Sequence, residues 1–270
     1  MDQWRATNQR MWDERVPFHL ASTFYDVEGF KAGRPELLAF EVAELGPLDG
    51  LRLLHLQCHF GLDTLDIARL HPTVAVTGLD FSAPAIEAAA RLAGEARLAD
   101  RARFVLSDVY RAAEVLGDER FDVVYTGKGA LMWLPDLEQW ASVVRNVLAP
   151  GGFLYLSEFH PVSMVLGENV PLPTYDYFAT TPEIYQGSGS YADPDAPTVH
   201  NVSWEWQHPI GRVLTALLGA GLQLEFFHEW DYMIHDLHKW LVKGADGRIR
   251  WPDGGGSLPL MYSLKAYRPA

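Results

Sequence analysis

The stretch LLHLQCHFG, residues 53–61, sets Gln57, Cys58, His59 and Gly61 at the end of an apolar run and ahead of a segment with helical spacing. In nucleotide-binding folds that junction presents the groups that meet the ligand, and glycines there let the backbone approach closely. One glycine, Gly61, stands here, with Gln57 and His59 where bare backbone is usual. Two acids close later runs. Asp80 ends TVAVTGLD, 19 residues after Gly61, the separation at which a carboxylate accepts hydrogen bonds from both hydroxyls of a ribose. Asp108, in LSDVY, suits an adenine exocyclic amine while the backbone of Val109 meets the ring. The plainer uses are a helix cap for Asp80 and a turn for Asp108. Ser82 serves as the cap, which leaves Asp80 for the ribose.

A second set of residues offers proton chemistry. In LSEFHP, Glu158 and His160 alternate along a strand and so face one way, toward the pocket, where the acid would orient the imidazole as a general base for an acceptor. The competing account has His160 capping the strand and Glu158 tied to neighbouring backbone. Cys58 has no base beside it in sequence, and buried cysteines are inert, so it only lines the site. His55 reads as a hydrogen-bonded core histidine, and His59 is open to either use. In HDLHKW, His235 and His238 share one helical face with Asp236, which invites a metal. A solvated helix is the stronger reading, and no metal is assigned.

These residues need a scaffold that brings strand ends together. Apolar runs at 51–57, around TVAVTGLD, at ARFVLSD, FDVVYTG and FLYLSEF alternate with helical segments, one of them opened by Ser82 and Pro84 and another closed by Pro150 and Gly151. Runs that are continuously apolar, not alternating, imply a parallel sheet covered on both faces. The expected class is therefore α/β, a doubly wound, Rossmann-like, mostly parallel sheet of seven strands with helices on both faces. The sixth and seventh strands are expected around LQLEFFHEW and MYSLKAYRP. A helix is expected over 36–45, between Pro35 and Gly46, which makes residues 1–34 an N-terminal arm and 35–270 the main domain. Within it, residues 161–207 break the rhythm with six prolines and with Tyr175, Tyr177, Phe178, Tyr185, Tyr191, Trp204 and Trp206. A loop this long usually carries function.

The bulk composition narrows the partners. A net charge of −13 opposes a phosphate-tracking surface, and no apolar run approaches the roughly 20 residues of a membrane span. A single cysteine rules out an intrachain disulfide and fits a reducing, cytoplasmic setting. Oligomeric state is not legible.

The glycine at 61, the acids at 80 and 108 and the turn and strand LAPGGFLYLSE resemble the class I S-adenosylmethionine-dependent methyltransferases, over about Leu51 to Glu158. LQCHFG is similar to a variant of that family's first motif. The resemblance implies S-adenosyl-L-methionine as cofactor and S-adenosyl-L-homocysteine as product. It places Tyr25, Gln57, Cys58, His59, Gly61, Asp80, Phe81, Asp108, Val109, Thr126 and Gly127 around the cofactor, with Tyr25, Trp12 and Trp133 as aromatic faces for the sulfonium. In similar enzymes an arm like residues 1–34 folds over the cofactor as a lid, and 161–207 would form the other wall of an acceptor site for a small aromatic or apolar metabolite. Two alternatives stay open, a nicotinamide oxidoreductase and a non-catalytic S-adenosylmethionine-binding protein. The first lacks Gly-x-Gly-x-x-Gly after strand one and a Tyr-x-x-x-Lys pair. YTGKGAL, standing where a nucleic-acid base methyltransferase carries Asn or Asp then Pro-Pro-Tyr, turns the reading to a small acceptor.

Overall fold

The computed structural model describes residues 3–254 and 256–270. Three helices precede the sheet, α1 (Gln3–Ala21), α2 (Val27–Lys31) and α3 (Ala39–Leu45). The alternating part follows as β1 (Arg52–Leu56), α4 (Leu62–Leu70), β2 (Ala75–Asp80), α5 (Ala83–Glu95), β3 (Ala102–Leu106), α6 (Ala112–Leu116), β4 (Phe121–Gly127), α7 (Leu137–Val147) and β5 (Leu148–Phe159). Beyond it come α8 (Pro161–Met164), a hairpin of β6 (Glu183–Gln186) and β7 (Val202–Glu205), then α9 (Ile210–Gly219) and β8 (Gln223–Trp230). The chain continues as β9 (Tyr232–Met233), β10 (Val242–Lys243), β11 (Ile249–Arg250) and β12 (Met261–Tyr267).

The main sheet has the order β3-β2-β1-β4-β5-β12-β8, with β12 antiparallel to both its neighbours and the other pairings parallel. The fold is thus the seven-stranded, mostly parallel doubly wound sheet the sequence implied. Its faces are covered by different helices. Leu65, Ile67, Ala88 and Leu92 of α4 and α5 pack on one side with Leu53, Val76 and Tyr155, and Trp140, Val144, Val213 and Leu217 of α7 and α9 pack on the other with Leu54, Val124 and Leu156. The chain order reverses between β1 and β4, so the crevice at their carboxyl ends is where a ligand is received.

The structure departs from the sequence expectation in four local places. Residues 36–38 are not helical, because the Glu36 and Leu37 amides both donate to Asp66 Oδ2, at 2.7 and 2.9 Å, and α3 starts after them. Residues 235–240 form no helix. Instead Lys239 N donates to Glu168 O and Trp240 Nε1 to Gly167 O, each at 2.8 Å, which ties the segment to the chain leaving α8. A small sheet ordered β10-β11-β9, which the sequence did not suggest, flanks it. The aromatic insertion also contains a strand pair, β6 and β7, where only a loop was expected. No described helix is long and apolar enough to cross a membrane, and among the described residues no group of three or more His, Cys, Asp or Glu is placed to hold a metal.

Candidate active site

The loop after β1 turns on three left-handed residues, Gln57 at φ 58°, His59 at φ 50° and Gly61 at φ 80°. Non-glycine residues adopt this conformation at a cost of about 1–3 kcal/mol and keep it where surrounding contacts hold them. Those contacts are present: Gln57 Nε2 donates to Ala130 O at 2.9 Å, Cys58 N to Leu79 O at 3.0 Å, and His59 N to Asp80 Oδ2 at 2.8 Å. Gly61 has no such freedom to be replaced, since a β-carbon there would lie 2.6 Å from the Phe104 ring. The surviving glycine is the one that packing demands.

Asp80 is buried, and its other oxygen accepts from Ser82 N at 2.9 Å, so each carboxylate oxygen spends one lone pair on backbone and keeps another. Burial raises its pKa to about 6, against the pull of the Ser82 and His59 amides. A partner missed from sequence stands beside it. Asp13 of α1 hydrogen-bonds Ser82, is close enough to push Asp80 up further, and leaves its Oδ1 buried without a partner. No motif marks Asp13, because its nearness to Asp80 exists only once α1 lies across the strand ends.

That crossing is the main feature of the site. Gln9 Nε2 donates to Phe81 O at 2.7 Å, and Arg5 Nε lies 2.5 Å from Asp108 Oδ2, the position expected for adenine. Asp108 Oδ1 meanwhile accepts from Tyr110 N, and Val109, buried, opens the turn that follows. Helix α1 therefore lies across the carboxyl ends of β1, β2 and β3.

Farther along, α1 meets the aromatic insertion in a cluster of packed rings. The Trp12 ring lies 5.3 Å from His59 and 5.2 Å from Trp133; His19 lies 5.2 Å from Tyr25 and 5.0 Å from Tyr191. The Tyr25 and Tyr191 hydroxyls are hydrogen-bonded to each other, and Phe24 stacks on His235 at 4.8 Å. Within the cluster His19 Nδ1 and His59 Nε2 are 3.0 Å apart. His19 is fully buried, and its Nε2 has no partner. Burial, reinforced by the charge of Arg15, lowers the His19 pKa to about 4, and burial with His19 nearby holds His59 well below its usual value. Both rings are neutral at pH 7.

Several expected roles change. Glu158 does not orient a base: it accepts from Gly129, Ala130 and Leu131 amides at 2.7, 2.7 and 2.9 Å, and from Phe159 N at 3.2 Å, and so holds the loop after β4. His160 caps α8, with Nδ1 accepting from Val162 N at 3.1 Å and Nε2 3.2 Å from Glu229 Oε1. The capping account of these two residues is the one the geometry favours. Thr126 turns its hydroxyl to Leu56 O at 3.1 Å, bracing β4 against β1, and Gly127 is small because a β-carbon would lie 2.3 Å from Ser157 O. Cys58 is buried, with its thiol pushed well up by burial and by Asp80. His55 is a core histidine, with Nδ1 2.8 Å from Thr64 Oγ1. His238 is buried and stacks on Trp240, and His235 lies against Phe24, Phe159 and Tyr191.

Residues 54–154 match a methyltransferase-domain family. The chain is 36% identical over 224 residues to trans-aconitate 2-methyltransferase of Variovorax paradoxus, covering 81% of this chain and 73% of that protein. The chain belongs to the class I S-adenosylmethionine-dependent methyltransferases. An uncharacterized Synechococcus protein is 30% identical over 122 residues, 45% of this chain, and the match spans 28% of that longer protein. In fold, the methyltransferase is similar to geranyl diphosphate C-methyltransferase of Streptomyces coelicolor, with TM-score 0.61 and 15% identity over 99% of this chain and 98% of that one.

The donor set of this methyltransferase fits S-adenosylmethionine. Gln57 Oε1 is a buried acceptor without a partner, suited to an ammonium, and Asp13 Oδ1 is another, beside an Asp80 that retains lone pairs for ribose hydroxyls. The Trp12 and Trp133 rings, 5.2 Å apart, are the aromatic groups that would stand nearest a sulfonium held there.

Proposed function

We propose that this protein methylates an ionisable oxygen or nitrogen of a small, flat metabolite enclosed between the arm of residues 1–34 and the insertion of residues 161–207, with His19 and His59 taking the proton. The observation that carries this reading is the His19 Nδ1 to His59 Nε2 contact of 3.0 Å beneath aromatic walls, with His19 Nε2 unpartnered. Bound S-adenosylmethionine supplies an electrophilic methyl carbon whose departure leaves a neutral thioether. The residues do the rest. Gln57, Asp13 and Asp80 hold the polar ends of the donor, and Trp12, Tyr25 and Tyr191 exclude water from the reacting atoms. When His19 Nδ1–H donates to His59 Nε2, His19 Nε2 carries the free lone pair that accepts the acceptor's proton, and the Nδ1 proton then passes to His59. Neutral rings at pH 7 are the form this relay requires.

The relative named trans-aconitate 2-methyltransferase supports a small acceptor, and the net charge of −13 argues against nucleic acid; the reading places the protein in the cytoplasm. The test uses methyl-labelled S-adenosylmethionine and a pool of small aromatic and unsaturated metabolites to find the acceptor, followed by His19→Gln across pH. Turnover about 10²-fold or more below wild type, with S-adenosylhomocysteine affinity retained, is expected. Wild-type turnover in His19→Gln at every pH would remove the relay.

A further inference from the structure

Helix α1 has two working faces. Arg5, Gln9 and Asp13 look to the ends of β2 and β3, whereas Asn8 and Arg15, at helical spacing, look to the insertion, as does His19. Asn8 exchanges two hydrogen bonds with the Trp204 backbone, at 2.8 and 2.9 Å, which fixes that second face. On it Arg15 is 7% exposed, donates from Nη1 to Met11 O and His200 O at 3.1 and 3.0 Å, and forms no ion pair with any described carboxylate. Glu14, next in the chain, acts on Arg15 only at longer range, its own oxygens accepting from Val199 N and His200 N, so no carboxylate sits on the guanidinium fork, whose planar shape matches one. The charge of Arg15 acts both on Tyr191 and on His19.

We infer that Arg15 anchors a carboxylate of the acceptor, so that the substrate is a small planar acid carrying a second, protic group that receives the methyl beside His19 Nε2. This rests on the methyltransferase reading and names its substrate class. The held carboxylate is not the methylated one, because its lone pairs are engaged by the fork. Burial is the larger cause of the low His19 pKa, and seating the carboxylate offsets the smaller share that comes from the Arg15 charge.

A carboxylate is also present on the donor's amino-acid tail, whose ammonium is assigned to Gln57, in the same loop as the His59 that meets His19. The experiment separates the two sources. Melting-temperature shifts of the wild type, Arg15→Lys and Arg15→Met are read with 3-hydroxybenzoate, 4-hydroxybenzoate and trans-aconitate, with the hydroxybenzamides as neutral controls, with and without S-adenosylhomocysteine. Calorimetry gives the affinity for S-adenosylhomocysteine itself. The expected result is that acids stabilise the wild type more than amides do, that Arg15→Met loses at least about tenfold in acid affinity and Arg15→Lys less, and that S-adenosylhomocysteine binds all three alike. Equal shifts from acids and amides in the wild type would overturn the assignment, and so would a tenfold loss of S-adenosylhomocysteine affinity in Arg15→Met, which would hand Arg15 to the donor. A wild type that fails to bind S-adenosylhomocysteine sinks the methyltransferase reading instead, while the acid-against-amide comparison still decides for or against Arg15.

Discussion

Arg5, in the first turn of α1, and Asp108, just past the end of β3, are joined by an ion pair with Nε 2.5 Å from Oδ2. If Asp108 receives adenine, as the sequence resemblance implies, the cofactor and Arg5 would compete for it. A pair of this partial exposure contributes about 0.5–1 kcal/mol. In Arg5→Ala the affinity for S-adenosylhomocysteine should therefore rise by about two- to fivefold, seen as faster association in stopped-flow fluorescence of the arm's tryptophans. Slower association or weaker binding would mean that Arg5 helps to hold the ligand and does not bar it.

Asp80 gives donor binding a pH dependence whose sign follows from its chemistry. Ribose hydroxyls donate to the ionised carboxylate, and burial places its pKa at about 6. The ionised form prevails above that value, so affinity for S-adenosylhomocysteine should be constant at pH 7–8 and fall as pH drops through about 6, by up to about tenfold per unit. Calorimetry over pH 5–8 measures it, and Asp80→Asn should both weaken binding and flatten the curve. A wild-type curve that is flat through pH 6 would exclude Asp80 as a ribose acceptor.

Glu158 is expected to matter for stability and for loop position, not for proton transfer. Its two oxygens take four backbone amides from residues 129–131 and 159, and Glu158→Gln leaves part of that set without an acceptor. Unfolding in urea should show a loss of about 1–3 kcal/mol. Any fall in turnover should be the same at every pH, because the carboxylate is not the group that titrates during the reaction. A lost acid or base limb in the pH profile of Glu158→Gln would return Glu158 to catalysis.

Much of the scaffold is legible in the chain because it rests on local rules. Continuous apolar runs mark β1 to β5, Ser82 caps α5 by accepting from Ala85 N, and Gly46 at φ 68° ends α3, each a matter of propensity within a few residues. The spacing of Gly61, Asp80 and Asp108 follows in turn from strand and helix lengths, so their place at the carboxyl edge of the sheet is written in sequence.

What the tertiary structure decided is which long-range partners meet. Glu158 and His160 alternate along β5, yet amides from the loop after β4 claim one and Val162 and Glu229 claim the other, because a buried polar group takes whatever partners surround it. His19 and His59, 40 residues apart, become a pair only when α1 folds across the strand ends. Asp13 joins Asp80, and Arg15 turns to the insertion, by the same crossing. α1 is a largely polar helix held by side-chain hydrogen bonds to distant backbone, Asn8 to Trp204 and Glu14 to Val199 and His200. Hydrophobic periodicity carries no trace of such contacts, since a hydrogen bond depends on atoms brought within about 3 Å by the whole fold, whereas burial of an apolar face needs only the right spacing along the chain.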